Sequence, residues 1–285
     1  MTLRKLYRQV AAQLRQAGVE EANHDAASLV CFCFQITREA LLAHGDAEAD
    51  AARIEQVWAY ARRRAGGEPL QYILGQWEFM GMSFSIGEGV LIPRDDTEVL
   101  VRRCESFFRS NGLEQVKIAD LCAGSGTVSI GIQSLLPKAQ ITAVELSDTA
   151  YRYLQKNVRR NGMQGIQTVQ GDIFDCWHSF PAACLDAVVS NPPYIATKEL
   201  DGLQREISWE PTMALDGGAD GLRFYRAIAQ HWANRVKPGG LIAVEIGEEQ
   251  AAQVAELFSH VGVQNIGVDR DIQGLDRVVW GTAGK

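Results

Sequence analysis

The stretch that most restricts this chain is an apolar run, Leu185 to Val189, that ends in Ser190-Asn191-Pro192-Pro193-Tyr194. A short apolar run of this kind reads as a strand buried on both faces. Two consecutive prolines remove two backbone donors and fix two φ angles, so ladder pairing stops there. The residue before each proline is also pushed to an extended conformation. The chain must turn stiffly at the carboxyl end of the strand, holding an amide side chain, backbone carbonyls and an aromatic ring in fixed relation. In an open α/β sheet that edge is where ligands bind. A rigid loop with its tyrosine packed on a helix would explain the same residues. What favours a site is the segment from Ile118 to Thr127, where an apolar strand enters a small-residue turn and then a helix. It lies far enough upstream for two intervening βαβ units.

From Val116 onward, apolar strands alternate with helical patterns: Val116–Leu121, Gln140–Val144, Ile166–Gln170, Leu185–Val189, Gly240–Ile246, Val263–Val268 and Arg277–Trp280. Seven strands with intervening helices predict an α/β fold with a mostly parallel sheet covered on both faces. The last two strands, joined only through residues 269–276, are expected to pair antiparallel.

Before this region the pattern differs. Leu3, Leu6, Val10 and Leu14, then Leu29 to Phe34, then Ile54, Val57 and Ala61 fall at helical spacing, predicting a bundle of four or five helices. Gly66-Gly67-Glu68-Pro69 breaks the pattern, and two alternating runs around Gly81-Met82 predict a β-hairpin. The expected organisation is a helical domain over 1–74 that recognises a partner, a hairpin connector over 75–93, and a catalytic domain over 94–285. Arg62-Arg63-Arg64 reads as a solvated helix end favoured by the helix dipole. His24 and His44 read as surface residues, and Asp96 or Thr97 as the N-cap of a helix reaching about Ser110.

The formal charge of −7 falls outside residues 1–75, where nine basic side chains meet nine acidic ones. The half with the candidate site is therefore the acidic half, which disfavours direct nucleic-acid binding through a broad basic face. No apolar run approaches the ~18 residues of a membrane span, and the first residues lack a signal-peptide core. Six cysteines occur without C-x-x-C pairs, so neither a metal site nor a disulfide framework is indicated. A cytoplasmic, monomeric protein without membrane association is the expectation.

Asp120-x-x-x-Gly124-x-Gly126 places glycines where backbone must approach a ligand and where a helix must start close to its strand. Cys122, Ala123 and Ser125 complete that loop. Glu145, at the end of the second strand about 20 residues on, can accept hydrogen bonds from both hydroxyls of a ribose. Otherwise it is a solvated strand-end carboxylate. Asp172 and Ile173 follow the third strand, where an adenine ring could lie against Ile173; Asp172 could equally cap a helix. A nucleoside pocket with a short glycine loop, an acidic ribose anchor and no phosphate-gripping lysine points to S-adenosylmethionine rather than ATP or NAD.

With these residues in view, the loop Asp120–Gly126, Glu145 and Asn191-Pro192-Pro193-Tyr194 resemble the class I methyltransferases that act on planar amide or amino nitrogens. Gly67-Glu68-Pro69-Leu70-Gln71-Tyr72-Ile73, Gly75, Phe79, Leu91-Ile92-Pro93-Arg94 and Asp96-Thr97-Glu98 more narrowly resemble the peptide-chain release factor glutamine N5-methyltransferases. The likeness runs from about residue 3 to residue 280. It implies a Rossmann-like seven-stranded sheet, and transfer of a methyl group to the glutamine amide of the Gly-Gly-Gln motif in class I release factors, with S-adenosylhomocysteine as product. Asn191 and Pro192 would grip the amide, Pro193 would stiffen the turn, and Tyr194 would wall the pocket. Two positions depart from the family: Cys122 where glycine is usual and Glu145 where aspartate is commoner. Glu206, Glu210 and Glu245 could line the substrate entrance but carry no assigned chemistry. The rivals are a glutamine methyltransferase for a ribosomal protein, an adenine-N6 methyltransferase of nucleic acid, and a non-catalytic adaptor.

Overall fold

A computed structural model describes residues 1–284. The chain divides into two compact units, Met1–Gln76 with Gln204–Trp209, and Trp77–Leu203 with Glu210–Lys285. No helix among the described residues is long and apolar enough to cross a membrane.

The first unit holds five helices: α1 (Leu3–Gln16), α2 (Ala22–Phe34), α3 (Arg38–Ala43), α4 (Ala51–Ala65) and α5 (Leu70–Leu74). Thr2, Thr37 and Asp50 cap α1, α3 and α4, each accepting a backbone N–H from the first turn. Leu6, Val10, Leu14, Ala26, Leu29, Val57 and Ala61 are buried at the predicted helical spacing. His24 and His44 are exposed. One expectation fails here. Arg64 is 4% exposed, not solvated, because its guanidinium bonds Asp25 Oδ2 at 2.6 Å and also the Glu206 carboxylate. A charge can stay buried when paired on both sides, and the second partner comes from the short segment in which the chain returns to this unit.

In the second unit, the hairpin β1 (Gln76–Phe79) and β2 (Met82–Ser85) precedes a 3₁₀ turn at Asp95–Thr97 and α6 (Glu98–Ser110). The alternation then runs β3 (Lys117–Leu121), α7 (Thr127–Leu135), β4 (Gln140–Glu145), α8 (Asp148–Arg160), β5 (Ile166–Gln170), β6 (Leu185–Ser190), α9 (Arg223–Ala227), β7 (Val236–Glu245), α10 (Ala251–His260), β8 (Gln264–Arg270) and β9 (Asp276–Thr282). The sheet order is β5-β4-β3-β6-β7-β9-β8. β3 to β7 are parallel to one another; β9 pairs antiparallel with both β7 and β8. The chain enters mid-sheet at β3, works outward to β5, and returns to the other side at β6. The order therefore reverses between β3 and β6, and at such a switch point the connections leave in opposite directions and open a crevice. Ser190 lies opposite Leu121 in the register, and its hydroxyl donates to the Leu121 carbonyl at 2.6 Å. That bond ties the glycine loop and the proline turn together where their strands end.

Candidate active site

The carboxyl ends of β3 to β6 border a cleft, the place where open α/β sheets bind ligands. Cys122, Gly124, Glu145, Asp172, Ile173, Asn191 and Pro193 line it. A smaller cavity of about 360 Å³ shares Leu91, Cys122, Gly124 and Asn191 with the first and adds Arg94, Thr97, Ala123 and Ser125. Asn191 thus stands on a wall common to both. Other predicted residues stand back. Asp120, Gly126, Pro192 and Tyr194 line neither cavity.

Three of those four, Asp120, Gly126 and Tyr194, support the walls from behind. Asp120 is fully buried, and one of its oxygens accepts from the Ser129 N–H at 3.0 Å and the Ser129 hydroxyl at 2.5 Å. This fixes the first turn of α7 to the end of β3. The other oxygen has no partner, and burial pushes the Asp120 carboxyl up to about 7. Gly126 opens α7 at φ +89°, and an added Cβ would meet Leu154 Cδ1 at 2.8 Å. The Tyr194 carbonyl accepts from Gln250 Nε2 at 2.9 Å, and burial pushes its phenol up to about 12. Among the described residues no donor reaches the Pro192 carbonyl.

The loop after β3 turns through left-handed conformations at Cys122 (φ +58°) and Gly124 (φ +55°). Glycine adopts such angles freely, whereas a residue with a Cβ is strained there. Cys122 therefore holds a backbone conformation that the commoner glycine would hold without strain. The Ala123 N–H bonds the Val144 carbonyl at 2.9 Å, so the loop stays against β4. Behind it, Asn157 of α8 is wholly buried. Its amide nitrogen donates to the Ser125 and Ser85 carbonyls, and its oxygen accepts the Ser85 N–H.

Glu145 is 8% exposed. Its two oxygens accept the N–H groups of Gly124 and Ser147, each at 2.8 Å. Burial raises the carboxyl's pKa, and the N–H groups of Ser147, Gly124 and Leu146 oppose the shift. A carboxylate offers about four lone-pair sites, so one acceptor direction on each oxygen remains for a diol. Asp172 Oδ1 accepts the Phe174 N–H at 2.9 Å and still borders the cavity, so it stiffens its turn and faces the ligand space at once.

Asn191 donates from its amide nitrogen to Thr97 Oγ1 at 3.2 Å, and no donor among the described residues reaches its oxygen. Thr97 is 2% exposed and makes no capping bond to α6, nor does Asp96 lie at the helix start. Thr97 does occupy the N-cap position of α6, as one of the two expected residues, but its side chain bonds the proline turn instead of the first turn of the helix. Glu210 and Glu245 are not entrance residues. Glu210 is buried, accepting the Ile92 N–H at 3.0 Å and pairing with Arg94. Sequence reading also missed Gly89, Val90, Met213, Ala214 and Phe224, all on the larger cavity wall. The Gly-Glu-Gly-Val-Leu run at 87–91 was the available clue, because it sits just before the Ile-Pro-Arg segment already singled out.

Residues 5–75 match the PrmC N-terminal domain, and residues 96–214 match the methyltransferase small domain. Release factor glutamine methyltransferases of Moorella thermoacetica and Geobacter sulfurreducens are 38% and 37% identical. The first aligns over 97% of both chains, the second over 99% of this chain and 97% of its own. Among solved structures, the human Mettl16 catalytic domain with the MAT2A 3′UTR hairpin 1 aligns at a TM-score of 0.59 and 16% identity, covering 78% of this chain and 80% of that one. A Pyrococcus furiosus methyltransferase aligns at 0.52 and 15%, over 72% and 91%. At those identities the two structures speak for the fold alone. Sheet order, glycine loop, strand-end carboxylate and relatives together define a class I methyltransferase that uses S-adenosylmethionine. Within that class, the chain belongs to the release factor glutamine methyltransferase family.

Proposed function

We propose that this protein methylates the side-chain nitrogen of the glutamine in the Gly-Gly-Gln motif of class I release factors, with Asn191 and Pro192 as the groups that hold the amide. The observation that carries this reading is a pair of adjacent acceptors, Asn191 Oδ1 and the Pro192 carbonyl, neither of which has a donor among the described residues. A primary amide presents two N–H groups, and its nitrogen lone pair is delocalised into the carbonyl. Two acceptors fixed on a stiff turn take both N–H bonds and set the direction of the nitrogen. Proline at 192 and 193 offers no N–H that would compete for those oxygens.

S-adenosylmethionine supplies an electrophilic methyl group, and its transfer leaves S-adenosylhomocysteine and a proton from the amide. Glu145 would hold the ribose diol, with Asp172 and Ile173 beside the adenine. Cys122, Ala123, Gly124 and Ser125 would hold the remainder along the loop. The apolar Val144 and Pro193 bordering that space exclude water from the transfer. Positioning and desolvation of this kind reach about 7–11 kcal/mol in well-aligned systems, so no strong base is required of the chain. Tyr194 contributes by anchoring the turn from behind through its backbone. The helical unit would capture the protein substrate.

The names of the relatives favour a release factor over a ribosomal protein. The test is incubation with labelled S-adenosylmethionine and, separately, a class I release factor, a ribosomal protein and DNA. Label on the release-factor glutamine is the expected result; label in DNA alone would discard the reading.

A further inference from the structure

Two segments that line the cleft lie far apart in the chain. Gly89, Val90 and Leu91 come from the stretch between the hairpin and α6, and Pro211, Met213 and Ala214 from the stretch between β6 and α9. The second segment forms a short strap. Thr212–Ala214 makes a single 3₁₀ turn entered from Pro211 at φ −65°, a value that the proline ring itself sets. Met213 is 57% exposed while lining the cleft, so the turn stands at its rim. The carboxyl end of the strap is tied by main chain. The Leu215 carbonyl accepts the Ile195 N–H at 2.9 Å, and the Gly217 N–H donates to the Ile195 carbonyl at 2.8 Å.

The amino-terminal end is held by a side chain. Glu210 directly precedes Pro211, and its carboxylate reaches the stretch that carries the first lining segment. Oε2 accepts the Ile92 N–H at 3.0 Å, and Oε1 pairs with the Arg94 guanidinium. The Glu210 side chain is 2% exposed and that of Arg94 39%. Burial raises the Glu210 carboxyl's pKa, while Arg94 and the Ile92 N–H oppose the rise. A buried ion pair adds little net stability over an apolar contact of the same shape, because desolvation offsets the attraction. What such a pair gives is reversibility. When it parts, both charges regain water, whereas an apolar contact would expose its surface unfavourably. A strap at the rim of a cleft that must release its ligand after every transfer has a use for that property.

We infer that Glu210 is the clasp of this strap: its bonds to Ile92 and Arg94 hold residues 211–214 over bound S-adenosylmethionine, and their release lets S-adenosylhomocysteine leave. Glu210 does not itself line the cleft, so it is a positioning residue acting through the strap. The inference rests on the placement of the cofactor given above.

The test is the dissociation rate of labelled S-adenosylhomocysteine, chased with unlabelled ligand, from the full chain and from Glu210→Gln, Met213→Ala, the double variant and Glu145→Gln. Glu210→Gln keeps an acceptor for Ile92 and loses the charge. It should release the ligand about tenfold faster, the difference between a charged and a neutral hydrogen bond, with the association rate unchanged, so that affinity falls through release alone. Met213→Ala trims the strap without touching the clasp and should release the ligand a few-fold faster; a wild-type rate would mean that the strap does not cover the ligand. In the double variant the strap is already freed, so losing Met213 should add nothing further, and additive effects would break the link between clasp and strap. In the wild-type protein, saturating S-adenosylhomocysteine should slow hydrogen exchange at the Ile92 N–H, which is freed when the clasp opens. Equal exchange with and without ligand would overturn the clasp without recourse to any variant. Wild-type release from Glu210→Gln, alongside weakened binding in Glu145→Gln, would also overturn it and leave the cofactor where it is placed. Wild-type affinity in Glu145→Gln would overturn that placement itself.

Discussion

Two strand ends lie side by side at the switch point of the sheet, Leu121 opposite Ser190, and they reach their shapes by opposite means. The end of β3 uses conformational freedom: left-handed backbone at Cys122, Gly124 and Gly126 lets the chain bend tightly beside the cavity. The end of β6 uses restriction, because Pro192 and Pro193 fix φ and withhold donors. One end opens space, as binding the bulk of a nucleoside requires. The other presents acceptors without competing donors, as orienting a reacting amide requires. On the proposed function, the pair would separate cofactor binding from amide positioning within a single crevice.

Substitutions that disturb one end should leave the other's function standing. The largest expected effect is at Asn191. Removing one oriented hydrogen-bonding group from a transition state costs about 10²–10³ in rate, so Asn191→Ala should lose that much kcat while cofactor affinity stays within a few-fold. Calorimetry with S-adenosylhomocysteine and single-turnover kinetics would distinguish this from a joint loss, which would erase the division of labour. Glu145→Gln is the converse case. Losing hydrogen bonds to a charged acceptor is worth about 1.5–3 kcal/mol, which should appear as weaker cofactor binding with kcat at saturation intact. A fall in kcat at unchanged affinity would contradict it.

Pro193→Ala should cost about 0.4–1 kcal/mol in denaturant stability by freeing the unfolded chain. It should also slow transfer a few-fold as the turn loosens, and unchanged kinetics would mean that the prolines matter only for stability. The smallest effect is expected at Cys122. A left-handed L-residue is strained by about 1–2 kcal/mol and glycine returns about 0.5–1 of that as extra chain entropy. Cys122→Gly should therefore raise the urea midpoint slightly and preserve cofactor affinity. A lower midpoint would show that the thiol's packing outweighs the strain.

Much of this architecture was readable because it is local. Each of the two strands is contiguous with its own turn, and the chemistry of each turn follows from a few adjacent residues. The antiparallel final pair was legible for the same reason, since the connection is too short for a crossover. What escaped depends on partners distant in the chain. Asp96-Thr97-Glu98 has the composition of a helix start, and only the approach of Asn191, 94 residues away, redirects Thr97. Asn157 shares the buried face of α8 with Ala150, Leu154 and Val158, and what its amide bonds, a hairpin 72 residues earlier, is not visible from the helix itself. Arg64 sits in a run of three arginines that propensity and dipole arguments place in water. Asp25, 39 residues back, and Glu206, 142 residues on, make it an interior residue.

The return of Gln204–Trp209 to the helical unit bears on how such proteins can be recombined. A hybrid that exchanges the amino-terminal module by a single cut near residue 76 would part Arg64 from Glu206. The natural exchange unit is discontinuous. Two joints, one on either side of six residues from the middle of the gene, have to travel with the first in any working graft.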